Sequence, residues 1–497
     1  MRQSRRIVMS RINTNVASLI AQNNLQRANQ DLTVSLQRLS TGLAISRGAD
    51  NPAGLIVSER LRTEISGITQ AIDNAERASN VIATTEAALN EVSHLLTSIK
   101  GLAVEAANTG AFSDEEIEAN QLQIDSAVES ITRISNVTSF AGLQLLNGSL
   151  DYLISGLDSD SIQDVNVFAA NFGTNEVKPV TVEVLDRAEN AVLFLDGNLE
   201  GSPGELQSSV SFEVQGNKGV EVLSFVGGTH LSSVVFSINS VTGVTGVSAS
   251  LVDHGDQTSG MLLASQEFGS DAFVSVRKIS GGSFFQTFKH NHTFGLNAVN
   301  RDTGEDVVAL INGTLALGNG LDVSLKSSTL DIELSLTEAA STALGMHRFM
   351  ITGGGSPFQL GPRVNPNHQV DFGIPSVAAS HLGTEVNGFL HSIMSGGENS
   401  LVSGRTEQAS QIIDTSIDQV SILRGRLGAF ERNTLQASIR SQQIALENLT
   451  SSESRIRDTD FALETSRLTR AQILVQAGTS TLALANSSSQ NVLALLQ

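Results

Sequence analysis

Apolar residues recur at helical spacing at both ends of the chain and at strand spacing in the middle. Leu25, Leu32 and Leu39 stand seven apart, with Leu36 and Leu43 at interleaved positions and Asn29 interrupting the stripe. That spacing predicts an amphipathic helix. Gly42 and Gly48 break it, and Asn51-Pro52 restarts a helix, with Pro suited to the first position and Asn51 to capping the free N–H groups. Alternating steps of four and three then give Leu61, Ile65, Ile68, Ile72, Ala75, Ser79, Ile82, Glu86, Leu89, Ser93, Leu96, Lys100 and Ala103. Nine of these thirteen positions are apolar, a sustained heptad pattern. From Ala53 to Asn108 such a helix runs roughly 80 Å at 1.5 Å per residue, so it should pair with other helices. Thr109-Gly110 ends it. Ser113 with Glu116 forms a capping box and starts another helix, to about Asn136. Asn147-Gly148, between Leu145, Leu146 and Leu150, Tyr152, reads as a hairpin turn.

The far end returns to heptads. Leu435, Ile439, Gln442, Leu446, Leu449, Glu453 and Ile456 make a partial set. A ladder of Leu468, Val475, Leu482, Ser489 and Leu496 follows, with Ala471, Gly478, Ala485 and Val492 at the partner positions. Small residues there let helices approach closely. Left exposed, the stripe is a liability, so it should be buried against another helix or another subunit. Between the two ends the pattern alternates: Val180, Val182, Val184; Val210, Phe212, Val214; and Leu321, Val323, Leu325 facing Leu330, Ile332, Leu334, Leu336 across a four-residue turn. Glycine punctuation recurs at Gly227-Gly228, Gly281-Gly282 and Gly353 to Gly355. The fold class is therefore α+β: a long antiparallel helical coiled coil or bundle built from both termini, with a β-rich central insert.

Charge sharpens this division. The chain of 497 residues carries a net charge of −20. Residues 1–150 contribute −3 and residues 401–497 contribute 0, so the middle holds −17. The middle also has 31 of the 43 glycines and 16 of the 20 phenylalanines. Such acidity argues against nucleic-acid binding, and no apolar run is long enough for membrane insertion. With no Cys, the chain has no disulfides, no thiolate metal site and no Cys nucleophile. Near-neutral, adhesive ends around an acidic middle describe a polymer subunit, because charge of that size cannot be buried repeatedly.

The residues then carry a family likeness. Met9-Ser-Arg-Ile12-Asn13-Thr14-Asn15 resembles the N-terminus of bacterial flagellin. Leu39-Ser40-Thr41-Gly42 and Ala49-Asp50-Asn51-Pro52-Ala53-Gly54 resemble that family's first helix break. Thr84-Thr85-Glu86-Ala87-Ala88-Leu89 and Leu102-Ala103-Val104 resemble its long rod helix. Leu427-Gly428-Ala429, Asn433, Asn448-Leu449, Glu453-Ser454-Arg455-Ile456 and Asp458-Thr459-Asp460 resemble the return rod and final helix. The likeness spans roughly residues 9–150 and 401–497. Ile311-Asn312-Gly313 vaguely resembles a short motif of flagellin and hook-associated inserts.

The resemblance implies a structural protein, not an enzyme, that is secreted through the flagellar type III apparatus into an extracellular filament for motility. It implies a homopolymer, with a cap protein, a hook-associated junction protein and a cytoplasmic export chaperone at the C-terminal helix as partners. It also implies residues 1–8 as an extension ahead of a start at Met9, 9–48 as an N-terminal filament-core helix, and 49–185 as rod helices plus a β-hairpin region. Residues 186–395 become a variable surface domain, 396–458 the returning rod, and 459–497 the C-terminal core helix. Leu25, Leu32, Leu36, Leu39, Leu468, Ala471, Val475, Leu482, Ala485, Val492 and Leu496 are then expected to pack the core. Leu61, Ile65, Ile68, Ile72, Ile82, Leu89, Leu96, Leu435, Ile439, Leu446 and Leu449 are expected to pack the rods. Where some relatives meet animal immune receptors through an Arg and an acidic residue, this chain has Ser98 and Gln123, which implies weak recognition. The alternatives are a hook–filament junction protein, or a binding domain displayed on a flagellar scaffold.

Candidate chemistry is sparse. His290-x-His292 has no nearby acid or Cys to complete a metal site and reads as a solvated turn. No His-Glu-x-x-His helix, Gly-x-Ser-x-Gly elbow or phosphate-binding Gly-x-x-x-x-Gly-Lys loop is present. No cofactor is expected.

Overall fold

The computed structural model describes residues 14–494 except 174, 176, 197–202, 254–255, 283–284, 290–297, 328 and 342–343, with side chains of the last helix described as far as residue 487. Residues 1–8, His290, His292 and Leu496 lie outside the described residues. Two compact units form. One gathers the described parts of Met1–Glu76, Leu360–Arg363 and Leu435–Gln497; the other gathers Arg77–Gln359 and Val364–Thr434.

Local chemistry sets the helix ends. Helix α1 (Val16–Thr41) starts where the Asn15 side chain accepts the Ser18 N–H at 2.9 Å, and it stops at Gly42, whose φ of 75° suits a residue without Cβ. Helix α2 (Pro52–Ala106) has Pro at its first position, and Asn51 Oδ1 accepts the Gly54 N–H at 2.9 Å. Helix α3 (Asp114–Val137) carries the complete Ser113/Glu116 capping box and three acids in its first turn.

The hairpin after α3 differs from expectation. Strands β1 (Ser139–Phe140) and β2 (Leu143–Gln144) turn at Ala141-Gly142, with φ of 51° and 87°, and not at Asn147-Gly148. Two left-handed residues give the hairpin its tight turn. At Asn147 the side chain instead accepts the Ser149 N–H at 3.0 Å, a local turn that follows the fully buried Leu145 and Leu146.

The second unit holds two β cores, one nested in the other. The outer core uses β3 (Tyr152–Ser155), β4 (Ile162–Ala170) and β5 (Lys178–Asp186). The chain then departs through β6 (Asn190–Leu195), β7 (Val210–Gln215), β8 (Val220–Phe225), α4 (Leu231–Ser240) and the one-turn α5 (Thr242–Thr245). It continues through β9 (Val247–Asp253), β10 (Asp256–Phe268), β11 (Phe273–Gly281), β12 (Thr287–Lys289) and β13 (Arg301–Thr303). It returns as β14 (Val308–Ile311), β15 (Thr314–Leu315), β16 (Leu317–Asn319), β17 (Asp322–Lys326), β18 (Leu330–Leu336), the short α6 (Glu338–Ser341) and β19 (Met346–Gly354). The outer core packs sheet β15-β14-β5-β19-β3 with sheet β16-β17-β18-β4 through Val180, Val182, Val184, Ile332 and Leu334. Leu325 lies opposite Ile332 and Val323 opposite Leu334.

The inner core packs sheet β12-β6-β10-β9 with sheet β13-β11-β7-β8 around Phe212, which stacks 4.5 Å from Phe285 and 5.7 Å from Phe225. At the neck of the insertion, Glu189 and Glu305 exchange both backbone hydrogen bonds at 2.9 Å. Gly304 sits in that neck because a Cβ there would lie 2.3 Å from the Glu189 carbonyl oxygen.

The helical part of the second unit joins α2, α3 and α7 (Thr406–Phe430) through Ile82, Leu89, Leu96, Ile124, Ile131, Ile412 and Leu427, all fully buried. Between α2 and α7, Lys100 donates to Ser410 at 2.6 Å and pairs with Asp414. Arg426 of α7 lies 3.3 Å over the Phe168 ring while its two Nη atoms reach Asp331 at 3.2 Å and Glu333 at 3.0 Å. One π-helical turn, Glu431–Leu435, then leads to α8 (Gln436–Arg457) and α9 (Phe461–Ala494).

Replacing Phe212 by Ala should remove about 3–5 kcal/mol from the inner core. Hydrogen exchange should show lost protection in β6 to β13 and retained protection in β4, β5, β17 and β18. Equal losses in both cores would refute their independence. R426K keeps the charge but loses the planar fork, and should weaken the α7 attachment by about 1–2 kcal/mol. Denaturant titration reads this, and an R426K curve overlying the parent would mean that charge alone acts there.

Candidate functional site: the seam between the terminal helices

Within the first unit, α1 and α9 run antiparallel. Asn15 Nδ2 donates to the Ala485 carbonyl at 2.9 Å, Ser18 Oγ to Asn486 Oδ1 at 2.8 Å, and Ser35 Oγ to Glu464 Oε1 at 2.6 Å. The turn ends lock together: the Thr459 N–H donates to the Gly42 carbonyl at 2.8 Å and the Ala44 N–H to the Arg457 carbonyl at 2.7 Å.

The α1 side of the seam reads Ala21, Leu25, Ala28, Leu32, Ser35, Leu39, alternating small and large, with Ala21, Ala28 and Ser35 nearly inaccessible. The α9 side reads Glu464, Leu468, Ala471, Val475, Gly478, Leu482, Ala485. A Cβ on Gly478 would lie 3.2 Å from the Leu25 side chain. Gly478 thus meets Leu25, Ser35 meets Glu464 and Asn15 meets Ala485 along the seam. Small residues bring the helices close, and the large ones fill the room left opposite.

The stripe on α1 is thus one residue away from the sequence reading at its interleaved positions. Leu36 lies outside the seam at 50% exposure, and Asn29 is exposed and does not interrupt it. Ala21, Ala28, Ser35 and Gly42, also seven apart, carry the signal that the leucines hid. Val492 falls within α9.

Glu464 is a buried carboxylate, 3% exposed. Burial pushes its pKa up, but the Ser35 hydroxyl and the Arg38 and Arg467 guanidiniums outweigh that and hold it below the usual Glu value. Arg467 lies 3.2 Å and Arg38 3.6 Å away. Asp460 caps α9 by accepting the Ala462 and Leu463 N–H groups at 2.9 and 3.0 Å. Among the described residues, no feature of the seam resembles an acid–base or nucleophilic site. It joins helices.

Among the expected rod residues, Ile68 and Ile72 are buried, Ile82, Leu89, Leu96 and Leu435 fully so, while Leu61, Ile65, Ile439, Leu446 and Leu449 are half-buried. No described residue of α8 is fully buried. In this unit Arg457 reaches Glu59 at 3.1 Å, joining α8 to α2, and the 360–363 loop sets Pro362 against Gly67 and accepts Gln442 Nε2 on the Leu360 carbonyl. Turned away from the seam are Val16, Leu19 and Ile20 of α1 and Ile473, Leu474 and Leu484 of α9, each 50–71% exposed. Among the described residues, no helix is long and apolar enough to cross a membrane.

Three family models match: the bacterial flagellin N-terminal helical region over residues 12–151, the C-terminal helical region over 410–496, and the flagellin hook IN motif over 211–265. The last match covers part of the inner β core, from β7 into β10, and excludes Ile311-Asn312-Gly313. That triplet is a tight turn between β14 and β15, in which Asn312 has a φ of 50° and accepts the Thr181 N–H. Flagellins of Salmonella muenchen and Salmonella typhimurium are 28% and 29% identical, and the B-type flagellin of Pseudomonas aeruginosa is 27% identical. Each comparison covers 98% of this chain and 99% of the relative. A solved structure of FliC from Burkholderia pseudomallei, 14% identical, covers 72% of this chain and 99% of that chain at a TM-score of 0.23, too slight a likeness to argue from. With both terminal regions matched and full-length relatives bearing the name, the chain belongs to the bacterial flagellin family.

Proposed function

We propose that this protein is the structural subunit of a flagellar filament, and that α1 and α9, paired within each subunit, use their outer faces to pack against other copies. The observation carrying this is the row of large apolar side chains left exposed on both helices, from Val16 at 52% to Leu484 at 71%. A soluble monomer has no use for such a surface on its least charged segments. In this reading residues 9–48 and 459–497 build the core of the polymer, including Leu36, whose exposure in the subunit suits an intersubunit contact. Residues 49–185 and 396–458 supply the rods, and the acidic stretch 186–395 faces water. The subunit leaves the cell by the flagellar export route, with a chaperone on α9 beforehand. It meets the cap protein at the growing end and the hook-associated junction protein at the base.

The test compares the parent chain with I473E/L484E and with a 459–497 deletion, by pelleting and negative-stain microscopy after seeding. The parent should form long uniform filaments. The double variant should keep its helicity as a monomer and not polymerise, since each buried, unpaired carboxylate costs several kcal/mol. Native-looking filaments from either altered chain would overturn the assigned role of α9.

Glu464 gives a pH prediction. A carboxyl held below its ordinary value contributes stability above about pH 4.3, and that contribution is lost as pH falls through the lowered pKa. E464Q should therefore show weaker α1/α9 pairing at neutral pH, and the two chains should converge in acid. Exchange protection of α9 amides reads this directly; a gap that persists unchanged in acid would exclude the carboxylate as its source.

A further inference from the structure

The thioethers of the displayed sheet offer a site unrelated to assembly. The chain has no Cys, so Met sulfur is its only sulfur. Among the described residues, Met261 is fully buried in the inner core and Met394 is half-buried, whereas Met346 and Met350 are 51% and 52% exposed. Both stand on β19, where Phe349 and Ile351 point into the outer core and Met346, Arg348 and Met350 point out. Four residues separate them, roughly 13 Å at strand spacing, so they are two reaction centres on one face. Met350 lies between Pro179 of β5 and Ser155 of β3. Leu153, 63% exposed on β3, extends the apolar strip. An Arg348 Nη sits 3.0 Å from the Met346 sulfur and donates to it.

We propose that Met346 and Met350 form a surface modification site for two-electron oxidants of the peroxide class, which turns the solvent face of this sheet from apolar to polar without disturbing the core beneath. The sulfur lone pair attacks one peroxide oxygen. The S–O bond forms as the O–O bond breaks, sulfur loses two electrons, and the departing hydroxide takes the remaining peroxide proton and leaves as water. The product is a sulfoxide, polar and reversible by sulfoxide reductases. Arg348 sets an order: its N–H engages the Met346 lone pair, so Met350 reacts first.

The experiment treats the full chain, as free subunits and as pelleted filaments, with limiting hydrogen peroxide and follows each Met by peptide mass spectrometry. Met346 and Met350 should gain oxygen at least ~10-fold faster than Met261 in both forms, with circular dichroism unchanged, because a buried thioether reacts only on opening. M346L/M350L should abolish oxygen uptake on that strand, and R348Q should bring Met346 up to the rate of Met350. Rates equal to that of Met261, or protection of both residues in filaments, would overturn the site. An unchanged Met346-to-Met350 ratio in R348Q would overturn the part given to Arg348. Polymerisation itself is read separately in the pellet, so a failure to assemble does not imitate a failure to oxidise.

Discussion

Two helices that meet through Ala, Ser and Gly lie closer together than two that meet through Leu. In the seam of α1 and α9 the small residues Ala21, Ala28, Ser35 and Ala471 are the ones most deeply buried, and Leu25 against Gly478 shows how little room remains. Such a seam is narrow. It uses one strip of each helix, and among the described residues Val16, Leu19, Ile20, Ile473, Leu474 and Leu484 stay exposed on the other faces. Hydrophobic burial scales with area, so a two-helix hairpin with a narrow seam is marginal alone and gains most of its stability from what packs around it. Separate folding and unlimited self-association then draw on the same apolar surface.

Electrostatics follows the same division. The near-neutral ends accept repeated burial, and the one charged side chain enclosed in the described part of their seam, Glu464, is satisfied by Ser35, Arg38 and Arg467. A half-satisfied carboxylate there would work against pairing. A satisfied one fixes the register, since sliding α9 by a turn would strand it away from Ser35. Among the described acidic residues of the middle segment, all but Asp302 are exposed or half-buried.

Much of this was legible in the residues. The capping box at Ser113, the Asn51-Pro52 restart and the alternation of Leu321 to Leu336 each state a local rule strongly enough to survive tertiary context. From Leu468 to Ala485, the part of the α9 ladder whose side chains are described, large and small residues alternate at heptad spacing, and that alternation is plain in the sequence. On α1 the leucines pointed to Leu36, while the seam within the subunit buries Ala28 and Ser35 and leaves Leu36 exposed. Periodicity of large residues finds a stripe but not its centre when the partner demands close approach. The hairpin at Ala141-Gly142 was hidden because Asn147-Gly148 offers a stronger turn signal, and local propensity does not know which strands have a partner. Val210, Phe212 and Val214 announced one strand of the inner core, but its nesting inside the outer one could not be read: strand pairing between β5 and β14 spans a long excursion that leaves no periodic trace.

That excursion begins and ends at Glu189 and Glu305, hydrogen-bonded to each other. Since the two ends are already held together, the segment between them is a closed loop whatever its length. Closure entropy grows only logarithmically, about 0.6 kcal/mol for each doubling, so the outer core is nearly indifferent to what hangs from this neck. Sequence change there, including wholesale replacement of one small domain by another, is thermodynamically decoupled from the outer core that carries the neck. In the filament proposed above, this neck would let the displayed domain be rebuilt without altering the helices that assemble.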